Sequence, residues 1–259
     1  MHSVSDRPVD AEFLALALKR NVVYQPTAWV FSSYAAVYTR QLRLLPVEHR
    51  LGNPHVIGTL FDMARLAPSE LGERQRKLLA ARAPIAPSPV LLGNLRQVHR
   101  AGITVATGTD AGNVGVVHGP AIFHDLALMA QAGMPPHDLL VAATMNGARL
   151  LGRERDQGSL EPGKVADLVV LGADPLADIQ NTADVRLVLR GGAVHWPAAL
   201  VPSTPEALAQ IQLNAYNARD LDAFVSVYHP DVEIFDFPRT LTMRGRAAMR
   251  DRYRTFFAK

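Results

Sequence analysis

The stretch that most constrains this chain is 102–112, Gly-Ile-Thr-Val-Ala-Thr-Gly-Thr-Asp-Ala-Gly. Its β-branched run begins at Ile103, directly after a segment with helical spacing, and ends before Gly108. A short apolar run in this position is typical of a buried parallel strand. The pattern therefore predicts a strand that presents the carboxylate of Asp110 at its C-terminal end. The alternative is that Asp110 lies in a loop and caps the helix predicted to begin near Pro120.

The residues before this stretch repeat the same order of elements. The spacing of apolar residues predicts a helix over 10–20, with Asp10 as its N-cap and Asn21 as a left-handed stop. A short buried strand over 22–26 follows at once and is ended by Pro26. A helix followed directly by a strand is typical of α/β proteins. Further helices are predicted over 91–100, 120–132 and 136–151.

The rest of the chain changes in character. Short strands are predicted over 165–171, 185–189 and 193–195, with Gly191-Gly192 as a hairpin turn. Residues 197–204 are predicted to be a linker. Beyond them the pattern predicts helices over 205–217, 221–228 and 246–257 and a strand over 231–237. We therefore predict domains at 1–196 and 205–259, the second being a truncated α+β segment.

Composition excludes several classes of function. The 259 residues contain no cysteine, so a disulfide scaffold and a thiolate metal site are excluded, and any metal must be bound by histidines and carboxylates. The net charge is +3 and the basic residues are dispersed, which argues against a nucleic-acid partner. No apolar run approaches the ~20 residues that a membrane span needs, and the first residues lack the pattern of a secretory signal. We therefore expect a cytoplasmic protein.

Residues 1–196 resemble the C-terminal portion of the metal-dependent amidohydrolases, in their imidazolonepropionase-like and prolidase-like branch. The motifs that carry the resemblance are Val-Ala-Thr-Gly-Thr-Asp-Ala-Gly at 105–112, His118-Gly119, Ala-Thr-Met-Asn-Gly-Ala at 143–148, and Gly-Ser-Leu-Glu-Pro-Gly-Lys-Val-Ala-Asp-Leu-Val-Val-Leu at 158–171. The resemblance implies an α/β fold, namely the last part of a TIM-type (β/α) barrel together with small β-sandwich strands.

The resemblance also implies site residues. Asp110 matches the metal ligand and proton shuttle of the eighth strand, and His2 stands where the sixth-strand metal ligand is expected. His118 matches a loop histidine that contacts substrate. Tyr24 and Thr27 flank the C-terminal end of a barrel strand, where substrate contacts are expected. The implied cofactor is Zn²⁺ or another divalent metal, which lowers the pKa of a bound water far below that of bulk water, to ~7.

The expected activity is metal-dependent hydrolysis of a non-peptide or dipeptide-like carbon–nitrogen bond in a small-molecule amide. Nothing in the chain matches the other family ligands, so we expect an incomplete enzyme whose site needs a complementing N-terminal half. Residues 203–259 resemble the start of a SnoaL-like (ketosteroid-isomerase-like) domain through Asn217–Phe224, Tyr228–Phe235 and Arg244–Met249. The alternative is a non-catalytic remnant whose C-terminal segment mediates dimerisation, giving a homo-oligomer, or binds an apolar ligand.

Overall fold

The parallel pairing expected around Asp110 is present as a short contact between two backbone segments. In the computed structural model, which describes residues 2–81, 85–201 and 203–258, Tyr24 and Val105 form a parallel bridge. The Tyr24 N–H donates to the Thr104 carbonyl at 2.8 Å, and the Ala106 N–H donates to the Tyr24 carbonyl at 3.0 Å. We call residues 22–26 and 103–107 the parallel seam. It is the structural counterpart of the two predicted strands.

The helices account for most of the ordered backbone. The first part of the chain contains α1 (Ala11–Lys19), α2 (Ala28–Tyr38), α3 (Pro46–Leu51), α4 (Pro54–Asp62), α5 (Glu73–Ala81) and α6 (Pro89–Arg100). The remainder contains α7 (Ile122–Gln131), α8 (Pro136–Ala143), α9 (Met145–Leu150), α10 (Pro197–Leu200), α11 (Pro205–Ala218), α12 (Leu221–Ser226) and α13 (Gly245–Phe257). Short 3₁₀ helices cover Met63–Arg65, Pro68–Glu70 and Ile179–Ala183.

Local signals in the sequence explain how the seam is entered. Asp10 accepts a hydrogen bond from the Phe13 N–H at 2.8 Å, which confirms it as the N-cap of α1. Asn21 has φ +48°, as expected for a residue that ends a helix in the left-handed region. Gly102 has φ +80° and plays the same part between α6 and Ile103.

The prediction of one helix over 136–151 is wrong, because the helix is broken at Thr144. The Ala142 carbonyl accepts from the Thr107 N–H of the seam at 3.0 Å instead of continuing the helical ladder. The side-chain amide of Asn146 donates to the Val105 carbonyl at 2.8 Å. The seam thus holds both sides of the break, and α8 and α9 form separate helices.

The three predicted strands after the seam form an antiparallel sheet. They are β1 (Leu168–Leu171), β2 (Val185–Arg190) and β3 (Ala193–His195), in the order β1-β2-β3. Gly191 and Gly192 have φ +55° and +82°, the conformation that a two-residue hairpin with the favoured twist requires. A mixed α/β architecture is therefore confirmed, whereas the partial barrel and the β-sandwich stay predictions.

The contacts divide the chain into two compact units. The first comprises 1–36 and 82–200, and the second 37–81 and 201–259. The core of the first unit surrounds the seam and contains Tyr24, Leu95, Val105, Met129 and Leu139. Residues 37–81 thus pack with the C-terminal segment, which the predicted domain boundaries did not anticipate. Those boundaries stay a prediction, and they include Met1, residues 82–84, Pro202 and Lys259, which lie outside the described residues.

The second unit has its own aromatic core. The side-chain amide of Asn214 in α11 donates to the Pro54 carbonyl of α4 at 2.7 Å, and Asn214 is buried. Phe224 packs against Tyr253 and Phe257, with ring centroids 5.1 Å apart in both pairs. Strands β4 (Glu233–Asp236) and β5 (Thr240–Arg244) pair antiparallel. The sequence predicted the first of these strands but not the second.

Candidate functional site

Asp110 lies in the loop that follows the seam, and its carboxylate is exposed. Its backbone is left-handed, with φ +54°. Among the described residues no side chain or backbone group bonds to this carboxylate, and the N-cap of α7 is Ala121, without a side-chain cap. The alternative that Asp110 caps this helix is therefore wrong. The carboxylate is available at the C-terminal end of the strand, where the sequence predicted it.

His2 and Thr27 meet at the end of the other segment of the seam. His2 Nδ1 and Thr27 Oγ1 share a hydrogen bond of 2.8 Å. Thr27 is buried and has φ +46°, an unusual conformation for a β-branched residue. The hydrogen bond fixes the imidazole through Nδ1, so the other ring nitrogen, Nε2, remains for a different partner. Since the seam is parallel, this end of the chain segment and the Asp110 loop belong to the same end of the seam.

Tyr24 differs from the other predicted site residues because its side chain is fully buried. Its hydroxyl accepts from the Val4 N–H at 3.1 Å, and its ring belongs to the core around the seam. The ring therefore has no surface to offer a substrate, and this buried position does not support the predicted substrate contact of Tyr24. Thr27 is placed as the partner of His2, and its own contact with a substrate stays a prediction.

His118 lies at the far end of the glycine-rich loop and is exposed. Gly112 brings the loop back toward it: Gly112 has φ +100°, and a Cβ built on it would lie 3.3 Å from His118 Cε1. A side chain at residue 112 would therefore crowd the imidazole as well as strain the backbone. The structure thus brings His118 against the loop that carries Asp110.

Asp125, which sequence reasoning missed, is a fully buried carboxyl group beneath this end of the seam. Its Oδ1 accepts from the backbone N–H groups of Ala28 at 2.5 Å and Trp29 at 3.2 Å, the first two residues of α2. Among the described residues Oδ2 has no hydrogen-bond partner. Burial raises the pKa of Asp125 to about 7, against the lowering effect of these two hydrogen bonds and of His124.

A sequence signal for Asp125 existed. It stands three residues after Ile122 and four before Met129, on the apolar stripe of α7, where a charged residue must find a buried partner. Its partners lie 96 and 97 residues away in the chain. The sequence could therefore reveal a charged residue on an apolar stripe, but not the backbone groups that it binds.

The described residues do not by themselves fit a complete catalytic metal site. Across 2–81, 85–201 and 203–258 no group of three or more His, Asp or Glu side chains could hold a metal ion. A catalytic zinc site takes three protein ligands. The predicted ligands in this chain are His2 and Asp110, which is one ligand short.

Comparison with known proteins gives the family context. Residues 88–194 match the Amidohydrolase family, and residues 209–259 match the SnoaL-like domain. We call residues 88–194 the amidohydrolase segment, because they match that family, and the SnoaL-like match lies after it in the chain. Asp110 and His118 both lie in the amidohydrolase segment. The predicted resemblance is therefore confirmed for both parts.

Individual relatives support the same family. A 5-methylthioadenosine/S-adenosylhomocysteine deaminase from Moorella thermoacetica is 34% identical over 44% of this chain and 27% of its own length. An imidazolonepropionase from Geobacillus kaustophilus is 38% identical over 38% of this chain and 24% of its own length. The match to the amidohydrolase segment thus spans about a quarter of each of these relatives.

Solved structures give the fold alone. A Xaa-Pro dipeptidase, with methionine bound in its active site, superposes with a TM-score of 0.51 at 24% identity, covering 73% of this chain and 38% of the other. The two chains thus share a fold over the superposed part. In the part of the chain that the structure describes, no helix has the length and apolar character to cross a membrane.

Proposed function

We propose that this chain supplies the final part of the active site of a metal-dependent hydrolase that acts on non-peptide or dipeptide-like carbon–nitrogen bonds. The observation that carries the proposal is Asp110, whose exposed carboxylate has no bonding partner among the described residues and lies in the amidohydrolase segment at the C-terminal end of the parallel seam. Residues at that end of a barrel strand face the active site. The names of the relatives, a deaminase and an imidazolonepropionase, favour a small-molecule substrate.

In this proposal Asp110 has two roles. It is one ligand of Zn²⁺ or another divalent cation, and it accepts the proton of the attacking water and passes it to the leaving nitrogen. An exposed carboxylate without a competing partner suits both roles. His2, oriented through Nδ1 by Thr27, offers Nε2 as a second ligand. His118 donates a hydrogen bond to the substrate carbonyl.

The remaining ligands must come from amidohydrolase sequence outside these 259 residues. Either a longer polypeptide or a complementing N-terminal half supplies them. This part of the proposal is supported by the absence, among the described residues, of any group of three or more His, Asp or Glu side chains that could hold a metal ion, and by the small share of each relative that the chain covers.

The test begins with the reading frame upstream of Met1. We expect an in-frame His-x-His stretch, and a polypeptide extended to include it is to be assayed with dipeptides and cyclic amides. Asp110→Asn should lower kcat by about a hundredfold or more, because the proton acceptor and a metal ligand are lost together. The matched control is Asp156→Asn, which removes an exposed carboxylate elsewhere in the same segment and should leave kcat unchanged.

Two outcomes would contradict the proposal. One is an extended enzyme whose kcat survives Asp110→Asn. The other is the absence of any His-x-His stretch or complementing half, together with less than about a tenth of an equivalent of zinc bound after purification with the metal. The second outcome would favour the non-catalytic alternative.

A further inference from the structure

Helix α2 contacts the glycine-rich loop through two side chains. The Tyr34 hydroxyl donates to Asn113 Oδ1 at 2.7 Å. The Trp29 indole N–H donates to the Gly115 carbonyl at 3.0 Å. Both bonds join residues about 80 positions apart in the chain, so they fix the loop against a helix that has its own anchor in the fold.

The bond from Tyr34 continues to Asp110. The side-chain amide of Asn113 donates to the Asp110 carbonyl at 2.9 Å, and the Asn113 backbone N–H points to the same carbonyl at 3.4 Å. Asn113 therefore uses its oxygen toward Tyr34 and its nitrogen toward Asp110. Reversing the amide would turn its oxygen toward the Asp110 carbonyl oxygen, so the bond to Asp110 determines the orientation of the amide. In that orientation the Tyr34 hydroxyl donates to the amide oxygen and holds the side chain in place.

The Asp110 backbone needs such support. Its φ of +54° lies in the left-handed region, which costs an ordinary L-residue about 1–2 kcal/mol and is milder for Asp. A residue keeps such a conformation only when its surroundings hold it there. The hydrogen bond from Asn113 to the Asp110 carbonyl fixes the direction of the peptide group that follows Asp110, and so helps to hold the φ and ψ of Asp110.

The anchor of α2 lies at the same end of the seam. Oδ1 of the buried Asp125 accepts from the N–H groups of Ala28 and Trp29, directly after Thr27. The Trp29 ring also stacks on His124, with centroids 4.1 Å apart. Helix α2 thus begins beside the partner of His2 and reaches, five residues beyond Trp29, the loop that carries Asp110.

We propose that Tyr34 and Asn113 are positioning residues for Asp110, with Tyr34 orienting the Asn113 amide and Asn113 holding the left-handed backbone from which the carboxylate projects. The inference rests on the proposed function for its catalytic meaning. Through α2 it links the two predicted ligands, since the same helix starts at the Thr27–His2 pair and contacts the Asp110 loop through Tyr34.

The first test uses the 259-residue chain and needs no activity. Hydrogen–deuterium exchange of peptides covering 108–117 should be about fivefold faster in Tyr34→Phe, which loses only the hydroxyl. Asn113→Asp keeps the acceptor for Tyr34 but loses the donor to Asp110, and it should show the same increase. Tyr216→Phe is the matched control, because its hydroxyl has no hydrogen bond among the described residues, and it should leave this exchange unchanged.

The second test uses the extended enzyme. Tyr34→Phe and Asn113→Asp should lower kcat about tenfold with KM unchanged, because a displaced Asp110 affects the reacting groups rather than substrate binding. A purely structural role would instead lower the amount of folded protein and leave kcat per folded molecule unchanged.

The outcomes separate the two proposals. Unchanged exchange in both variants overturns the positioning role, whatever the activity. Faster exchange with an unchanged kcat also overturns the positioning role, because Asp110 then functions without the hydrogen bonds from Tyr34 and Asn113. If the extended wild-type enzyme has no hydrolase activity, the proposed function is wrong, and Tyr34 and Asn113 then have no catalytic role. The exchange measurement would still show whether these two residues hold the Asp110 loop, so the two failures can be told apart.

Discussion

At the N-terminal end of the parallel seam the left-handed residues are Asn21 and Gly102, whereas at the C-terminal end they are Thr27 and Asp110. Asn and Gly are the residues that adopt this conformation most readily, and here each follows a helix. Thr and Asp adopt it less readily, and a β-branched residue is a true outlier. At the N-terminal end, therefore, the residue types suit the left-handed backbone. At the C-terminal end they do not, which indicates that their side chains are needed there.

Charge is also treated differently at the two ends. Near the N-terminal end, His99 and Asp138 form an ion pair at 2.9 Å, with side chains that are 26% and 40% exposed. Near the C-terminal end, Asp125 is completely buried, and its Oδ2 has no hydrogen-bond partner among the described residues. A buried carboxyl with a raised pKa and two strained residues are typical of functional sites. The difference supports the assignment of the site to the C-terminal end.

The largest effect is expected at Asp125. Asp125→Ala leaves the N–H groups of Ala28 and Trp29 without their acceptor and should lower the free energy of unfolding by about 2–3 kcal/mol at pH 5. Asp125→Asn keeps an acceptor oxygen of the same shape and should be near wild type at that pH. Urea unfolding of the three proteins measures this difference.

The pH dependence of Asp125 has a defined sign. Its pKa is about 7 in the folded chain and about 4 in the unfolded chain, so unfolding releases a proton between these values. The stability of the wild type should therefore fall as pH rises from about 4 to about 7, and Asp125→Asn should remove this fall. A wild-type stability that is flat over this range, or an equal fall in Asp125→Asn, would contradict the burial argument.

A smaller effect is expected from exchanging backbone preferences between the ends. Asp110→Gly should raise the free energy of unfolding by up to about 1 kcal/mol, because glycine accepts φ +54° without strain. The same substitution should abolish any activity. Gly102→Ala should lower the free energy of unfolding by about 1 kcal/mol. This loss comes from backbone strain at φ +80° alone, because a Cβ on residue 102 would meet no atom within 4 Å. Thermal or urea unfolding that shows destabilisation by Asp110→Gly would mean that the carboxylate, and not the backbone, stabilises this loop.

Sequence reasoning predicted the parts of this region that depend on neighbouring residues. The cap at Asp10, the stop at Asn21 and the hairpin at Gly191-Gly192 are set by short-range chemistry, and each is present. The position of Asp110 after a strand is likewise a local pattern, strengthened by family motifs. Each of these features depends on residues that lie only a few positions apart in the chain.

The missed features depend on contacts between distant residues. The break at Thr144 arises because the Ala142 carbonyl bonds to Thr107, and nothing near residue 144 in the sequence encodes that choice. Asp125 bonds to α2 across 97 residues, and Tyr34 bonds to Asn113 across 79. Tyr24 was expected beside a substrate because of its position at a strand end, but strand position does not say which face a side chain takes, and its ring lies in the core.

The smallest effect is expected from the ion pair at the N-terminal end. The hydrogen bond from His137 and then that from His99 hold the pKa of Asp138 below its ordinary value, so this carboxylate stabilises the fold above about pH 4 and loses its contribution as pH falls further. The dependence is therefore opposite in sign to that of Asp125. Because both partners are partly exposed and screened by water, Asp138→Asn should lower the free energy of unfolding at pH 6 by less than about 1 kcal/mol, and 1 M salt should reduce the difference. A loss as large as that of Asp125→Ala would mean that the N-terminal end of the seam depends on its carboxyl group as strongly as the C-terminal end does, and the contrast between the two ends would no longer point to the site.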